Sequence, residues 1–130
     1  MPYELSSTAP VQVTDPSVYI NDCCWGGDLI CDDLLPMVSA HYQSIQSGQE
    51  DWGWFIWVRE GDVPLTINIA CDSIAQRKFR VLLTSWRKKR LLGRSMVDTP
   101  HLERLQQLVS AHLMHWSGKV ELEQVNDEAV

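Results

Sequence analysis

The chain has 130 residues, 45% of them hydrophobic and 22% charged, as expected of one globular domain able to bury a core without metal or disulfide staples. Its formal net charge of −6 favours solubility and argues against bulk attraction to nucleic acid or anionic membrane. No apolar run approaches the ~18 residues needed to span a bilayer, and "MPYELSSTAP" lacks the basic and apolar regions of a signal peptide, so a cytoplasmic location is expected.

Residues 1–10 are polar and carry Pro2 and Pro10, the pattern of a loosely ordered end. "VQV" at 11–13 and "VYI" at 18–20 are short β-like runs on either side of the turn chemistry of Asp15-Pro16. Gly26-Gly27 breaks the chain. Ile30, Leu34, Met37, Val38, His41 and Ile45 then trace one stripe at helical spacing. A proline inside a helix removes a hydrogen bond, whereas one in the first turn costs little. Pro36 therefore favours a helix from about Asp33, as N-cap, to Ser47, with Gly48 ending it.

Residues 52–59, "WGWFIWVR", alternate Trp52, Trp54, Ile56 and Val58 with Phe55 and Trp57. Both sets are apolar, so a central strand or one covered on both sides is predicted. "EGD" at 60–62 signals a tight turn. Leu65, Ile67, Ile69 and Cys71 alternate with Thr66, Asn68 and Ala70 as in a half-buried antiparallel strand. After "DSIAQ", Phe79, Val81 and Leu83 alternate with Lys78, Arg80 and Leu82, a third strand with bases on its outer face. Residues 85–97 either extend that strand or form a basic arm with a hairpin. Thr99 fits an N-cap and Pro100 the first position of a second helix. Its stripe is Leu102, Leu105, Val109, His112, Leu113 and Trp116, and Gly118 ends it. "KVELEQV" alternates as an edge strand, and residues 126–130 form a loose acidic end.

The expected architecture is one α+β domain over 1–130, a two-layer sandwich with a mainly antiparallel sheet. It consists of a β-meander at 52–84, a C-terminal strand, and helices at about 33–47 and 100–117. Helices on one side leave the other sheet face to be covered, and a homodimer is the simplest way.

Residues 77–94 hold eight of the eleven bases and none of the seventeen acids. Within this segment Trp86, Arg87, Lys88, Lys89, Arg90 and Arg94 put an indole beside clustered cations. That set suits nucleotide stacking and phosphate steering, an acidic protein partner, or an anionic membrane surface. The opposing view is that the chain's own acids balance it, within the fold or across a dimer. A second expected site is a pocket among Trp25, Trp52, Trp54 and Trp57, holding an apolar or cationic small ligand against the indole faces. Together these favour a small, non-enzymatic, dimeric, cytoplasmic binding protein.

The alternative is a small thiol or histidine enzyme. Cys24 precedes the glycine pair and a helix, where a thiol pKa is depressed and a nucleophile can arise, with His41 or His112 as base. His101 and His115 are further imidazoles. The cysteines at 23, 24, 31 and 71 are expected as free thiols. His112 and His115 are spaced for joint ligation, but no C-x₂-C pair completes a zinc set, so neither metal nor cofactor is expected. Asp28, Asp32 and Asp33 read as acids complementing a helix N-terminus. Phosphate-loop and nucleophile-elbow patterns are absent.

Overall fold

Alternation of buried and solvated residues recurs along this chain, and the described residues form a mainly antiparallel sheet of seven strands with two helices, an α+β fold. The computed structural model describes residues 2–89, 93–118 and 120–125, and the side chains of all of these except 88, 89, 94 and 117. The strands are β1 (Tyr3–Thr8), β2 (Gln43–Glu50), β3 (Gly53–Glu60), β4 (Val63–Ser73), β5 (Lys78–Lys89), β6 (Gly93–Met96) and β7 (Val120–Gln124). The helices are α1 (Gly27–His41) and α2 (Pro100–Ser117). Strand order is β2-β3-β4-β5-β1-β7, with β6 paired to β5 off this path.

The meander follows the expected pattern. Trp54, Ile56 and Val58 lie opposite Ile69, Ile67 and Leu65, and these lie opposite Val81, Leu83 and Ser85. Leu5 of β1 continues the row beside Val81. These side chains form one core with Ile30, Leu34 and Val38 of α1 and Leu102, Leu105, Val109 and Leu113 of α2. Burying such side chains gives about 1.5–3 kcal/mol each, the main term holding the helices and the sheet together. The Glu60–Val63 turn carries Gly61 at φ 60°, a left-handed position that glycine fills without strain.

The first helix departs from expectation. It runs from 27 to 41 rather than 33 to 47, and Pro36 is its tenth residue. Gly26, at φ 73°, makes the sharp bend into it. Pro36 deprives the Asp32 carbonyl of its helical donor. Both residues are exposed, so water can solvate that carbonyl, and the interior proline is tolerated. The helix stops because Tyr42 turns extended and its N–H caps the Val38 carbonyl. Residues 43–50 then pair with β3 as an edge strand, and Gly48, expected as a helix end, lies against the Phe55 ring.

The N-terminal segment also differs. Residues 3–8 are a strand laddered to β5 on one side and β7 on the other. Leu5 is the only strongly apolar residue of the six, so the ladder rather than hydrophobicity secures the strand. Residues 11–20 contain no strand; Pro16–Val18 and Asp22–Cys24 are short 3-10 turns, each capped by the preceding Asp15 or Asn21. The second helix matches its signals. Thr99 Oγ1 accepts from the Leu102 N–H at 3.0 Å, and Gly118 closes the helix at φ 73°.

No helix among the described residues is long and apolar enough to cross a membrane.

Candidate binding surface

The strand pairing puts Phe55, Trp57, Thr66, Asn68, Ala70, Arg80, Leu82, Thr84, Glu4 and Ser6 on the face turned away from the core. Trp57, at 41% exposed, packs against Phe55 with ring centroids 4.4 Å apart and 33° between the planes. Beside it, the Thr66 and Thr84 hydroxyls hydrogen-bond to each other across β4 and β5. A groove of about 360 Å³ opens here, lined by Ser44, Gln46, Trp57, Arg59, Thr66 and Trp86, among others. Among the described residues, its lining includes no acid. A second groove, of about 390 Å³, is lined by Trp52, Asn68, Leu82, Arg80 and Glu4, with neighbours from β4. Asn68 Oδ1 is buried with no hydrogen-bond partner among the described residues.

The basic segment continues beyond the main sheet as a hairpin. Up to Leu83, β5 is flanked by β1, and up to Ser85 by β4. Beyond that, Trp86 lies opposite Met96, Arg87 opposite Ser95, Lys88 opposite Arg94 and Lys89 opposite Gly93. Both expectations for 85–97 hold together, since the strand extends and also turns back. Ser85 pins the base: its hydroxyl donates to the Val97 carbonyl, and its own carbonyl accepts from the Val97 N–H at 3.0 Å. Arg87 is exposed, and Trp86 is half-buried in the first groove. Arg90 lies outside the described residues, and Lys88, Lys89 and Arg94 are placed by backbone alone. At the other end of β5, Arg80 is already engaged, with Glu4 at 3.8 Å and Asp72 at 3.4 Å.

The four tryptophans expected to form one pocket do not converge. Trp25 and Trp54 pack against the core. Trp25 stacks on Phe79 at 6.3 Å, and Trp54 Nε1 donates to the Cys24 carbonyl at 2.7 Å. Trp52 was expected on the face of Trp54 but lines the groove on the opposite face. It sits in the turn before β3, and Gly53, at φ 147° against the Ile69 carbonyl, breaks the alternation there.

The thiol site is likewise altered. Cys24 is 0% exposed, and its Sγ–H donates to the Glu50 carbonyl at 3.0 Å. Burial pushes its pKa up, the reverse of the depression a nucleophile needs. Burial also pushes the Cys31 thiol up, to about 12. All four cysteines are free. His41 ends α1, about 20 Å of helix away from the Cys24 end. His112 lies edge-on to Trp116 at 6.0 Å. Among the described residues, no group of three or more His, Cys, Asp or Glu is placed to hold a metal ion. Asp28 lies in the first turn of α1 and accepts from the Tyr19 hydroxyl at 2.7 Å; burial first, then this carboxylate, raises Tyr19 to about 12.

One polar cluster had no signal in the sequence. Glu60, at the end of β3, accepts from His101 at 2.5 Å and Arg104 at 2.8 Å, both on α2. Arg104 also reaches His41 Nδ1 at 3.2 Å and lies over the Tyr42 ring. Burial raises the Glu60 pKa, but the His101 hydrogen bond and the Arg104 charge outweigh it, and the net shift is downward. Each element contributes one or two of these residues, so only the fold brings them together. The partners of Trp57 in the first groove were missed for a similar reason. Period-two alternation places Thr66 and Thr84 on the outer face, but only the strand register puts them between Trp57 and Trp86.

No family model, no curated protein and no solved structure matches this chain.

Proposed function

We propose that this is a non-enzymatic cytoplasmic binding protein that engages a polyanionic macromolecule across the Trp57–Trp86 groove and the basic hairpin. One observation carries the reading. A groove lined by two indoles and no described acid adjoins the strand pair that bears Arg87, Lys88, Lys89 and Arg94. The cations draw an anionic partner in, and the groove gives it apolar surface to settle on. The −6 net charge does not oppose this strongly, because acids more than about 10 Å away are screened at physiological salt.

The test is a titration of indole fluorescence with heparin and with polyglutamate across a salt series. Saturable binding at low salt that weakens steeply as salt rises is expected, with a smaller salt dependence for Arg59→Ala, which removes the cation in the groove lining. Absence of any response at low salt would remove the proposal.

A second reading is favoured by the other groove. Trp52 and Leu82 there lie beside Glu4 and Arg80, which pair with each other, so the groove offers apolar surface flanked by paired charge to a twofold contact with another copy. Sedimentation equilibrium of the wild type and Trp52→Glu distinguishes this: a dimer that the variant dissociates supports it, and a monomeric wild type rejects it.

A further inference from the structure

We infer that the polyanion is a single-stranded nucleic acid whose bases stack on Trp57 and Trp86. This rests on the polyanion reading and adds a partner class to it. An acidic peptide offers carboxylates but few flat π-faces, and a duplex hides its base faces inside the stack. A single strand exposes both phosphates and base faces, and unstacked bases settle on aromatic side chains with little sequence preference.

The open face has the parts for this. Trp57 is backed on one side by Phe55, which limits its movement, and is 41% exposed. Two strand spacings across and one two-residue step along bring Trp86 to within about 12 Å of it, Cα to Cα. The groove between them, about 360 Å³, has the size of a small-ligand site. Its rim offers Gln46, Ser44 and Arg59 as hydrogen-bonding partners for base edges and phosphate. In the next row of the sheet, Asn68, between Phe55 and Leu82, carries the carbonyl oxygen left without a partner among the described residues. The adjoining strand pair carries Lys88 and Arg94, opposite one another in the ladder and one two-residue step beyond Trp86.

The acids confine the path. Glu4 lies opposite Glu123, and Ser6 opposite Glu121, so the β1–β7 side of the same face is acidic. A phosphate backbone is held to the β2–β5 half, running from the hairpin over Trp86 and Trp57 towards Phe55. A backbone along this line starts beside the hairpin cations, passes Arg59 and avoids the glutamates of β1 and β7.

The experiment is fluorescence anisotropy of a labelled mixed-sequence single strand, its duplex, and polyglutamate, in a salt series. Single strands should bind at least about tenfold tighter than duplex, and Trp57→Ala or Trp86→Ala should each weaken them by about tenfold or more with an unchanged salt slope. Trp57→Phe, which keeps a stacking ring, should stay within about threefold of wild type. Arg59→Ala, which removes the cation that lines the groove, should instead reduce the log–log salt slope by about 0.7. Urea unfolding of each variant confirms that it is folded. Equal binding of all three polyanions, or single-strand binding indifferent to Trp57→Ala, overturns the nucleic-acid inference and leaves the polyanion reading standing. So does binding of polyglutamate alone. Failure of every polyanion at low salt overturns both. A chain that binds no oligonucleotide and sediments as a dimer broken by Trp57→Ala assigns the face to a second copy and overturns the inference.

Discussion

The two faces of one sheet behave as different materials. On the covered face, Ile56, Leu65, Ile67, Ile69 and Leu83 are wholly buried in the core that α1 and α2 complete. On the open face, the residues that alternate with them include Phe55, Trp57, Thr66, Asn68 and Leu82, and grooves rather than helices lie over this side. Both faces are rich in large side chains, so hydrophobicity alone does not tell them apart. The difference lies in which helices the connections bring across. A strand such as "WFIWV" therefore differs from residue to residue, with even positions packed on the core and odd positions on the open face.

The contrast breaks most decisively in stability. Ile67→Ala should cost about 2–5 kcal/mol in urea unfolding, because it leaves a cavity between helix and sheet. Trp57 is open to solvent, so Trp57→Ala should cost about 1 kcal/mol or less while weakening partner binding by about tenfold or more. Similar losses of stability for the two would mean that the open face is part of the core after all.

Backbone positions sharpen the same contrast. At Gly53 a Cβ would collide with the Ile69 carbonyl, and φ is 147°. Gly53→Ala should cost at least about 1–3 kcal/mol and disturb the Trp52 turn. Gly61 has a left-handed φ but open space around it, so Gly61→Ala should cost only about 1 kcal/mol. Equal losses in thermal unfolding would mean that the close approach at Gly53 is unimportant.

The polar cluster joins α2 to the end of β3 and gives a pH signature. The folded-state pKa of Glu60 lies below its ordinary 4.5, so the unfolded chain takes up the proton first as pH falls. Its contribution is present above 4.5 and is lost as pH falls through the folded value. Glu60→Gln should flatten the acid limb of a stability–pH profile and change neutral stability little, since both partners on α2 are solvent-accessible. An unchanged acid limb would remove this role.

The smallest effect concerns the thiols. Native alkylation at mildly alkaline pH should modify exposed Cys23 first and leave Cys24 and Cys31 until the chain unfolds. Rapid labelling of Cys24 would reopen the nucleophile alternative.

Much of the fold was legible because its signals are local. Thr99-Pro100 and Gly118 bracket α2, and "EGD" marks the β3–β4 turn. The errors arose where a distant partner or the solvent outweighed local preference. Pro36 argued for a late helix start, but its exposed position lets water satisfy the orphaned carbonyl. The polar segments 3–8 and 43–50 became strands because neighbouring ladders accept them. Of the candidate site, Trp86 and Arg87 were visible as a charge run beside an indole. The meeting of Trp86 with Trp57 depends on the register of three strands, which no local pattern encodes.

The most direct measurement is oxidative footprinting of the indoles by mass spectrometry, with and without a single-stranded oligonucleotide. Trp52 and Trp57 should be modified fast and Trp25 and Trp54 slowly in the unliganded protein, with protection of Trp57 and Trp86 on binding. Uniform rates, or protection that spares both Trp57 and Trp86, would contradict the assignment of the open face as the binding surface.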